Sequence, residues 1–480
     1  MLEWGVLVVY CIGSFWTSAS AYAFASIAKK AALYFGVSYN AINQLSIAGL
    51  VLPFVTYVPA MWLADTRRFE LPFYLSMCLI VATRWIRVFA ATDNVQGFYV
   101  LLATQAVSAI LQPFLQCLAP ALSRNYFSKQ SQSLATCLGT ISSLLGIGAG
   151  MVISPFFQED IQALLNLHAV MISVPLVLSV FCLDLFYCLD GQAHGTLART
   201  TSFNRLMGNC WTLGDRFKQP HEPAHTLALP FVNNAYLALE ESGNTNVQTN
   251  YCAALRHLFA DFAFIRLVLA SGLLCGVVNA WVALVDEAAP PSVDSAFGTQ
   301  MICGLFFGLG TIGSIIMGII MDRTRRYAFL GLCANVVSTI PFAVGMLGWY
   351  YDSAISIYVG LGLSGFFGFG LFPLSIEFGI ELTFSTQLPN LEAAVSGIVS
   401  CTTNVFGALI MMLTTPGNIS TLNDKDIPLV WFVLSLTGSL LFFSVPPRYN
   451  RLQQQLEEER EANGILTDCP LALSQQSLIV

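Results

Sequence analysis

The sequence predicts an all-α integral membrane protein, with twelve transmembrane helices in two pseudo-symmetric six-helix bundles. Three observations carry that prediction. Of the 480 residues, 55% are hydrophobic and only 10% are charged, whereas a soluble domain carries roughly a quarter charged residues; a soluble multi-domain enzyme is thereby excluded. The apolar residues form continuous runs that match the roughly 20 residues a helix needs to cross a bilayer, not the ten-residue alternations of a β-barrel. Finally, one charged motif recurs at the same relative place in each half of the chain.

Taken in order, the apolar runs place helices at 5–34, 41–64, 70–92, 97–125, 132–157 and 161–188, then at 258–286, 296–321, 327–350, 354–384, 391–415 and 428–446. The first run lacks a basic flank, and its apolar stretch from Val6 to Ala28 is too long for a signal core, so no cleavable signal peptide is expected. These runs divide the chain into an N-terminal bundle (1–188), a cytosolic central loop (189–256), a C-terminal bundle (257–446) and a cytosolic tail (447–480). The loop holds His194, Pro220, His221, Pro223, His225 and Glu240 and reads as a connector with short helical pieces. In the tail, Arg451 to Glu461 reads as a helix extending into water. The 13 cysteines are scattered without a C-x-x-C pair and read as small packing residues.

Charge sidedness orients the chain. With the amino terminus in the cytosol, fifteen of the 21 basic residues fall on the cytosolic side, so both termini are expected there. Asn418-Ile419-Ser420, in the last outward loop, is a glycosylation acceptor. The repeated motif follows helix 2 as Asp65-Thr-Arg67-Arg68 and helix 8 as Asp322-Arg323-Thr-Arg325-Arg326. Each aspartate can accept hydrogen bonds from a neighbouring helix terminus while the arginines reach acidic partners, which would latch one conformation closed. Topological anchoring by the arginines alone is the simpler alternative.

Six plus six helices with this loop in both halves resemble the major facilitator superfamily. Three stretches narrow the resemblance to the feline leukaemia virus subgroup C receptor family: Asn43-Gln-Leu-Ser46 with Tyr57-Val-Pro59-Ala-Met-Trp62-Leu-Ala-Asp65, Gly313 to Arg325, and Pro373-Leu-Ser-Ile-Glu377-Phe-Gly-Ile-Glu381-Leu-Thr383 followed by Asn404-Val-Phe-Gly407. Members of that family have been linked to haem, choline and ethanolamine, and pyridoxine. The resemblance implies a major facilitator fold and an alternating-access carrier with its small organic solute between the halves. Gln112 matches the family's helix 4 glutamine, and Asn404 stands where relatives have glutamine. The aromatic walls that close on choline are not retained: Ala21 and Asn279 occupy the places of a tryptophan and a tyrosine, and a cation-π cage needs such faces within about 6 Å.

The expected substrate-binding residues are Gln112, Asn404, Asn279, Trp281 and Tyr22, set against interhelical hydrogen bonding for the amides and core or belt packing for the two aromatics. Asp65, Arg67, Arg68, Asp322, Arg325, Arg326, Glu377 and Glu381 are expected to gate or couple. Glu377 and Glu381 lie one turn apart, and a carboxylate in a span is costly unless paired or functional. They should pair with Arg323, Arg325 or Arg326, the alternative being that Glu377 binds a proton or a cationic solute. Arg84 and Arg87 should snorkel or pair near Asp93, or attract an anionic group. No metal, cofactor or nucleic-acid site is expected, and no enzyme: the spans hold no Ser/His/Asp set and no metal-ligand spacing. The expected partners are the solute, the bilayer and protons, for a monomer in the plasma or an endolysosomal membrane. A non-transporting sensor on the same fold is the alternative.

Overall fold

The computed structural model describes residues 2–66, 70–128, 131–193, 246–293, 298–384, 391–415 and 426–453. Eleven helical segments in it are long and apolar enough to cross a bilayer: α1 (Glu3–Phe35), α2 (Ala41–Asp65), α3 (Pro72–Ala90), α4 (Val95–Tyr126), α5 (Gln132–Phe157), α6 (Ile161–Ser179), α7 (Phe262–Ala283), α8 (Gly298–Thr324), α9 (Tyr327–Tyr350), α10 (Ala354–Thr383) and α11 (Glu392–Thr414). A twelfth, α12 (Ile427–Phe443), is shorter and apolar. A further helix, Asn246–Ala260, precedes α7 within the stretch expected to be a connector.

Several of the spanning segments are discontinuous. The first turns through a 3-10 step at Ala25–Ile27 and ends on Gly36, whose φ of 66° only glycine adopts freely. The second is interrupted at Leu52, before Pro53, and the fourth at Cys117, between Pro113 and Pro120, because proline donates no N–H to the ladder. The tenth breaks at Phe369–Gly370.

Exposed apolar residues lie three or four apart on the outer helices: Val170, Val174 and Val177 on α6; Val337, Ile340, Val344 and Leu347 on α9; Val433, Leu436 and Leu440 on α12. A surface of this kind belongs against lipid rather than water. Inside each half, the helices approach closely through glycine. A Cβ added at Gly146 or Gly150 of α5 would collide with the α1 carbonyls of Phe15 or Ala19. Across the bundle, a Cβ at Gly276 of α7 would meet Phe406 of α11 at 2.7 Å. The glycine run in α5 is therefore a packing face, as in other membrane helices where small residues admit a neighbouring backbone.

The halves meet through α2 against α11 and α5 against α8. At one end, each interface carries the same polar device. The carboxylate of Asp65, ending α2, accepts hydrogen bonds from the backbone N–H groups of Ala393 and Ala394, both 3.0 Å away. The carboxylate of Asp322, near the end of α8, accepts from Ser133 and Leu134 at 3.0 and 2.9 Å. In both cases the donors are the second and third residues of the opposing helix, and neither helix is capped by its own side chain, at Ser131 or Leu391. Free N–H groups and the positive end of the dipole at a helix start favour a carboxylate there. Each half thus caps a helix of the other. Around Asp65 the joint is reinforced by an Arg124–Glu392 ion pair of 2.5 Å between α4 and α11, and by the Tyr251 hydroxyl at 3.3 Å. Arg325 turns the chain after Asp322 with a left-handed φ of 51°, and Arg326 precedes the first residue of α9. Arg67 and Arg68 lie outside the described residues. At the opposite end, Asn43 donates to Glu287 at 3.3 Å between the halves.

Two outcomes follow from this packing. Gly150→Leu should eliminate folded, monodisperse protein by size-exclusion chromatography, whereas Gly308→Ala, at a position with nothing within 4 Å, should leave the elution profile unchanged. Asp65→Asn should weaken the capped state by about 2 kcal/mol, roughly 30-fold in its population. Maleimide labelling of the fully buried Cys117 should then accelerate, while the exposed Cys78 labels as before. Asp322→Asn should do the same for Cys137, and unchanged rates would refute the latch.

Candidate solute-binding site

Between the halves lies a cavity of about 1310 Å³, its open mouth included, lined by residues of α1, α2, α4, α5 and α7 to α12. Its polar lining consists of hydroxyls and amides, among them Ser14, Ser18, Thr140, Ser143, Ser400, Thr403, Gln112, Gln116, Asn279 and Asn404. Its aromatic lining is Tyr10, Tyr22, Phe306, Phe342, Phe369 and Phe372. Among the described residues, no Asp, Glu, Lys, Arg or His lines it. The helix breaks explain part of this wall: Tyr22 ends the first segment of α1, Phe369 lies in the break of α10, and Leu371 begins its second segment.

On the side of the cavity nearer the latch, one network joins the halves. The buried hydroxyl of Tyr57 on α2 donates to Gln116 Oε1 at 2.5 Å and accepts from Asn404 Nδ2 on α11 at 2.9 Å. Tyr57 and Gln116 were not among the residues expected from sequence. Gln116 could have been found, because it stands one helical turn after Gln112 on the same face; Tyr57 gives no such signal.

Four of the five residues expected to bind substrate, Gln112, Asn404, Asn279 and Tyr22, line this one cavity. Trp281 does not. Its side chain is fully buried and packs edge-on against Phe306 at 4.9 Å, so it supports the wall from behind. Asn279 faces α11, where Gly407 leaves room for it: a Cβ there would lie 3.0 Å from Asn279 Cβ.

Glu377 and Glu381 are reached by an arginine that the sequence did not point to, while the expected Arg325 also lies within electrostatic range of Glu381. Arg451, beyond α12, turns back into the bundle and lies 3.9 Å from Glu377, and its guanidinium also donates to Gln132 of α5. Glu381 accepts from the Leu452 N–H at 3.2 Å, Asn450 donates to the Leu382 carbonyl at 2.9 Å, and the Tyr449 hydroxyl accepts from Ala328 N–H at 3.2 Å. Burial alone would lower the pKa of Arg451, but the Glu377 and Glu381 carboxylates outweigh it and raise the pKa above the ordinary arginine value. The start of the tail, helical over 450–453, is therefore a strap across the latch end; the rest of the helix expected to Glu461 lies outside the described residues. Both glutamates are buried and neither lines the cavity. Of the expectations for Arg84 and Arg87, snorkelling and pairing near Asp93 fail: both side chains are turned inward and are 2% and 3% exposed. Asn418 lies outside the described residues, and among those residues no group of His, Cys, Asp or Glu is arranged to hold a metal.

Comparison with known proteins agrees with this architecture. The profile of the Major Facilitator Superfamily matches residues 10–412. The chain is 24% identical over 412 residues to an uncharacterized MFS-type transporter of Caenorhabditis elegans, covering 86% of this chain and 64% of that protein. It is 24% identical over 423 residues to the choline/ethanolamine transporter FLVCR1 of Felis catus, covering 87% and 68%. To the human choline/ethanolamine transporter FLVCR2 it is 22% identical over 484 residues, covering 99% and 84%. The proton:xylose symporter XylE, solved with 6-bromo-6-deoxy-D-glucose, superposes with a TM-score of 0.62 at 11% identity over 94% of this chain and 98% of its own. The chain is a multi-pass membrane protein that belongs to the Major Facilitator Superfamily and is a transporter rather than an enzyme.

Proposed function

We propose that this protein carries a compact, hydroxyl-bearing organic solute, with at most one positive charge, across a membrane by alternating access. The observation that supports this most is the cavity itself: it lies between two halves joined by a symmetric latch, and its wall combines amides, hydroxyls and aromatic rings with aliphatic side chains and, among the described residues, no charged one. Such a wall offers hydrogen bonds to hydroxyl and amine groups and ring faces to an organic cation. It offers no counter-charge to a carboxylate, which weighs against a dianionic macrocycle such as haem. Choline and ethanolamine, named for the feline and human relatives, are the first solutes to test. The missing cage residues at Ala21 and Asn279 do not leave the cavity without rings, because Tyr22, Phe306 and Phe369 supply others. One polypeptide builds the whole cavity, so a monomer suffices as the transport unit. In this reading the latch end, where the basic residues gather, faces the cytosol.

In this reading, solute entering from the outer side meets the Tyr57–Gln116–Asn404 network and competes for its hydrogen bonds. Breaking the bond between Tyr57 and Asn404 removes a link between α2 and α11 only 2.9 Å long, close behind the Asp65 cap. Solute binding and opening of the latch would thereby be coupled.

Uptake of radiolabelled choline, ethanolamine and pyridoxine into proteoliposomes tests the proposal. One of these should be taken up saturably. Gln112→Ala should reduce uptake per molecule about tenfold through loss of one buried hydrogen bond, with membrane abundance unchanged. Tyr57→Phe should alter the maximal rate more than the half-saturating concentration. Equal uptake by Gln112→Ala would remove that residue from the site, and binding of a solute without any uptake would favour a sensor.

A further inference from the structure

The N-terminal half encloses a cationic centre that the cavity does not use. Arg84 and Arg87 of α3 are almost completely buried, as is His168 of α6. At 1.5 Å per residue, Arg84 lies about 9 Å along the helix from the Ala90 end of α3, and His168 about 10 Å from the Ile161 start of α6. They therefore occupy one depth, well inside the apolar layer. Both arginines are within electrostatic reach of the imidazole. Arg87 is held by neutral acceptors only: its Nε donates to Thr104 Oγ1 at 2.8 Å and its Nη2 to Gln105 Oε1 at 2.6 Å. All three guanidinium nitrogens of Arg84, and Nε2 of His168, are buried without a hydrogen-bond partner. Among the described residues, no carboxylate forms an ion pair with either arginine.

A guanidinium cannot discharge itself by losing its proton. Two of them buried at this depth, with no carboxylate paired to either among the described residues, carry a large desolvation cost that an anion sharing the site would offset. Full burial rules out a lipid headgroup, and the cost of stripping water from an ion at this depth favours one that is small, singly charged and easily dehydrated.

We propose that Arg84, Arg87 and His168 form a binding site for a small monovalent anion, a halide or an equally small carboxylate, inside the N-terminal half. The site is wired to the cavity wall. Gln105, which holds Arg87, also donates through Nε2 to the Ala21 carbonyl at 3.1 Å, and Tyr22, the next residue, lines the cavity. An anion at Arg84 would fix α3, α4 and α6 around that contact, and so set the position of Tyr22.

The test uses the full chain, purified in detergent and exchanged into gluconate, an anion too large for such a core. Chloride, bromide, nitrate or formate is then titrated at constant ionic strength while the melting temperature is followed. The expected result is a saturable rise, on the order of 2 °C near tenfold excess over Kd, that sulfate does not reproduce. A rise with chloride and bromide identifies a halide, and a rise with formate alone identifies a small carboxylate. The rise should vanish in Arg84→Gln. Should that variant not fold, His168→Gln should weaken the anion's apparent affinity at least severalfold, and crystals of the unmodified protein soaked in bromide should show anomalous density beside Arg84. Melting temperatures independent of the anion, a full saturable rise in Arg84→Gln, or bromide density everywhere except beside Arg84 would overturn the proposal.

Discussion

Two aspartates, each capping the start of a helix in the opposite half, are the constraint on which the rest of the molecule depends. The second and third N–H groups of α5 and of α11 have no acceptor within their own helix and none from their own N-cap residue. Asp322 and Asp65 supply one from across the interface, with bond lengths that agree within 0.1 Å between the two sites. A carboxylate is suited to this task because it accepts two bonds in parallel and meets the positive end of the helix dipole. The cap also breaks cleanly: when the halves separate, the N–H groups and the carboxylate are both rehydrated. A contact that is firm when shut and readily solvated when open suits a carrier that must cycle, as a dry apolar seam would not.

Charge is partitioned throughout the molecule in the same spirit. The latch end concentrates it, with the two caps, the Arg124–Glu392 pair and the Arg451 strap over Glu377 and Glu381. The cavity excludes it, and hydroxyls, amides and rings take its place. A solute is therefore recognised by dipoles and ring faces, whose energies are modest, while the larger electrostatic terms govern which end is open. The Arg84 centre departs from this pattern, and an anion there would offset part of its charge.

Much of this was legible in sequence because membrane helices are written in long apolar runs, and because a repeated acid-arginine motif marks equivalent ends of two bundles. The depth of Gln112, Asn404, Asn279 and Tyr22 within their runs was enough to bring them to one cavity. Depth alone failed for Trp281: two residues from Asn279 it is rotated about 200° round the helix and faces away, an inference the sequence permitted. The partner of Glu377 was not legible. Arg451 lies 74 positions later in the chain, in a stretch whose polarity resembles a solvated tail, and only the fold brings it back. Arg84 was misjudged because a basic residue near the end of a span ordinarily reaches for the headgroups. Hydropathy says how deep a residue lies but not which way it points, and here it points inward.

The central claim is that the two caps hold one end closed and that releasing them rocks the halves about the cavity. Double electron-electron resonance tests this most directly. Spin-label pairs at the exposed positions Asn125 and Thr324, at the latch end, and Gln96 and Tyr351, at the other, would be compared in the parent protein and in a variant carrying Asp65→Asn and Asp322→Asn. The account predicts that the first distance lengthens while the second shortens. Two distances that stay unchanged, or that lengthen together as in general loosening, would contradict it.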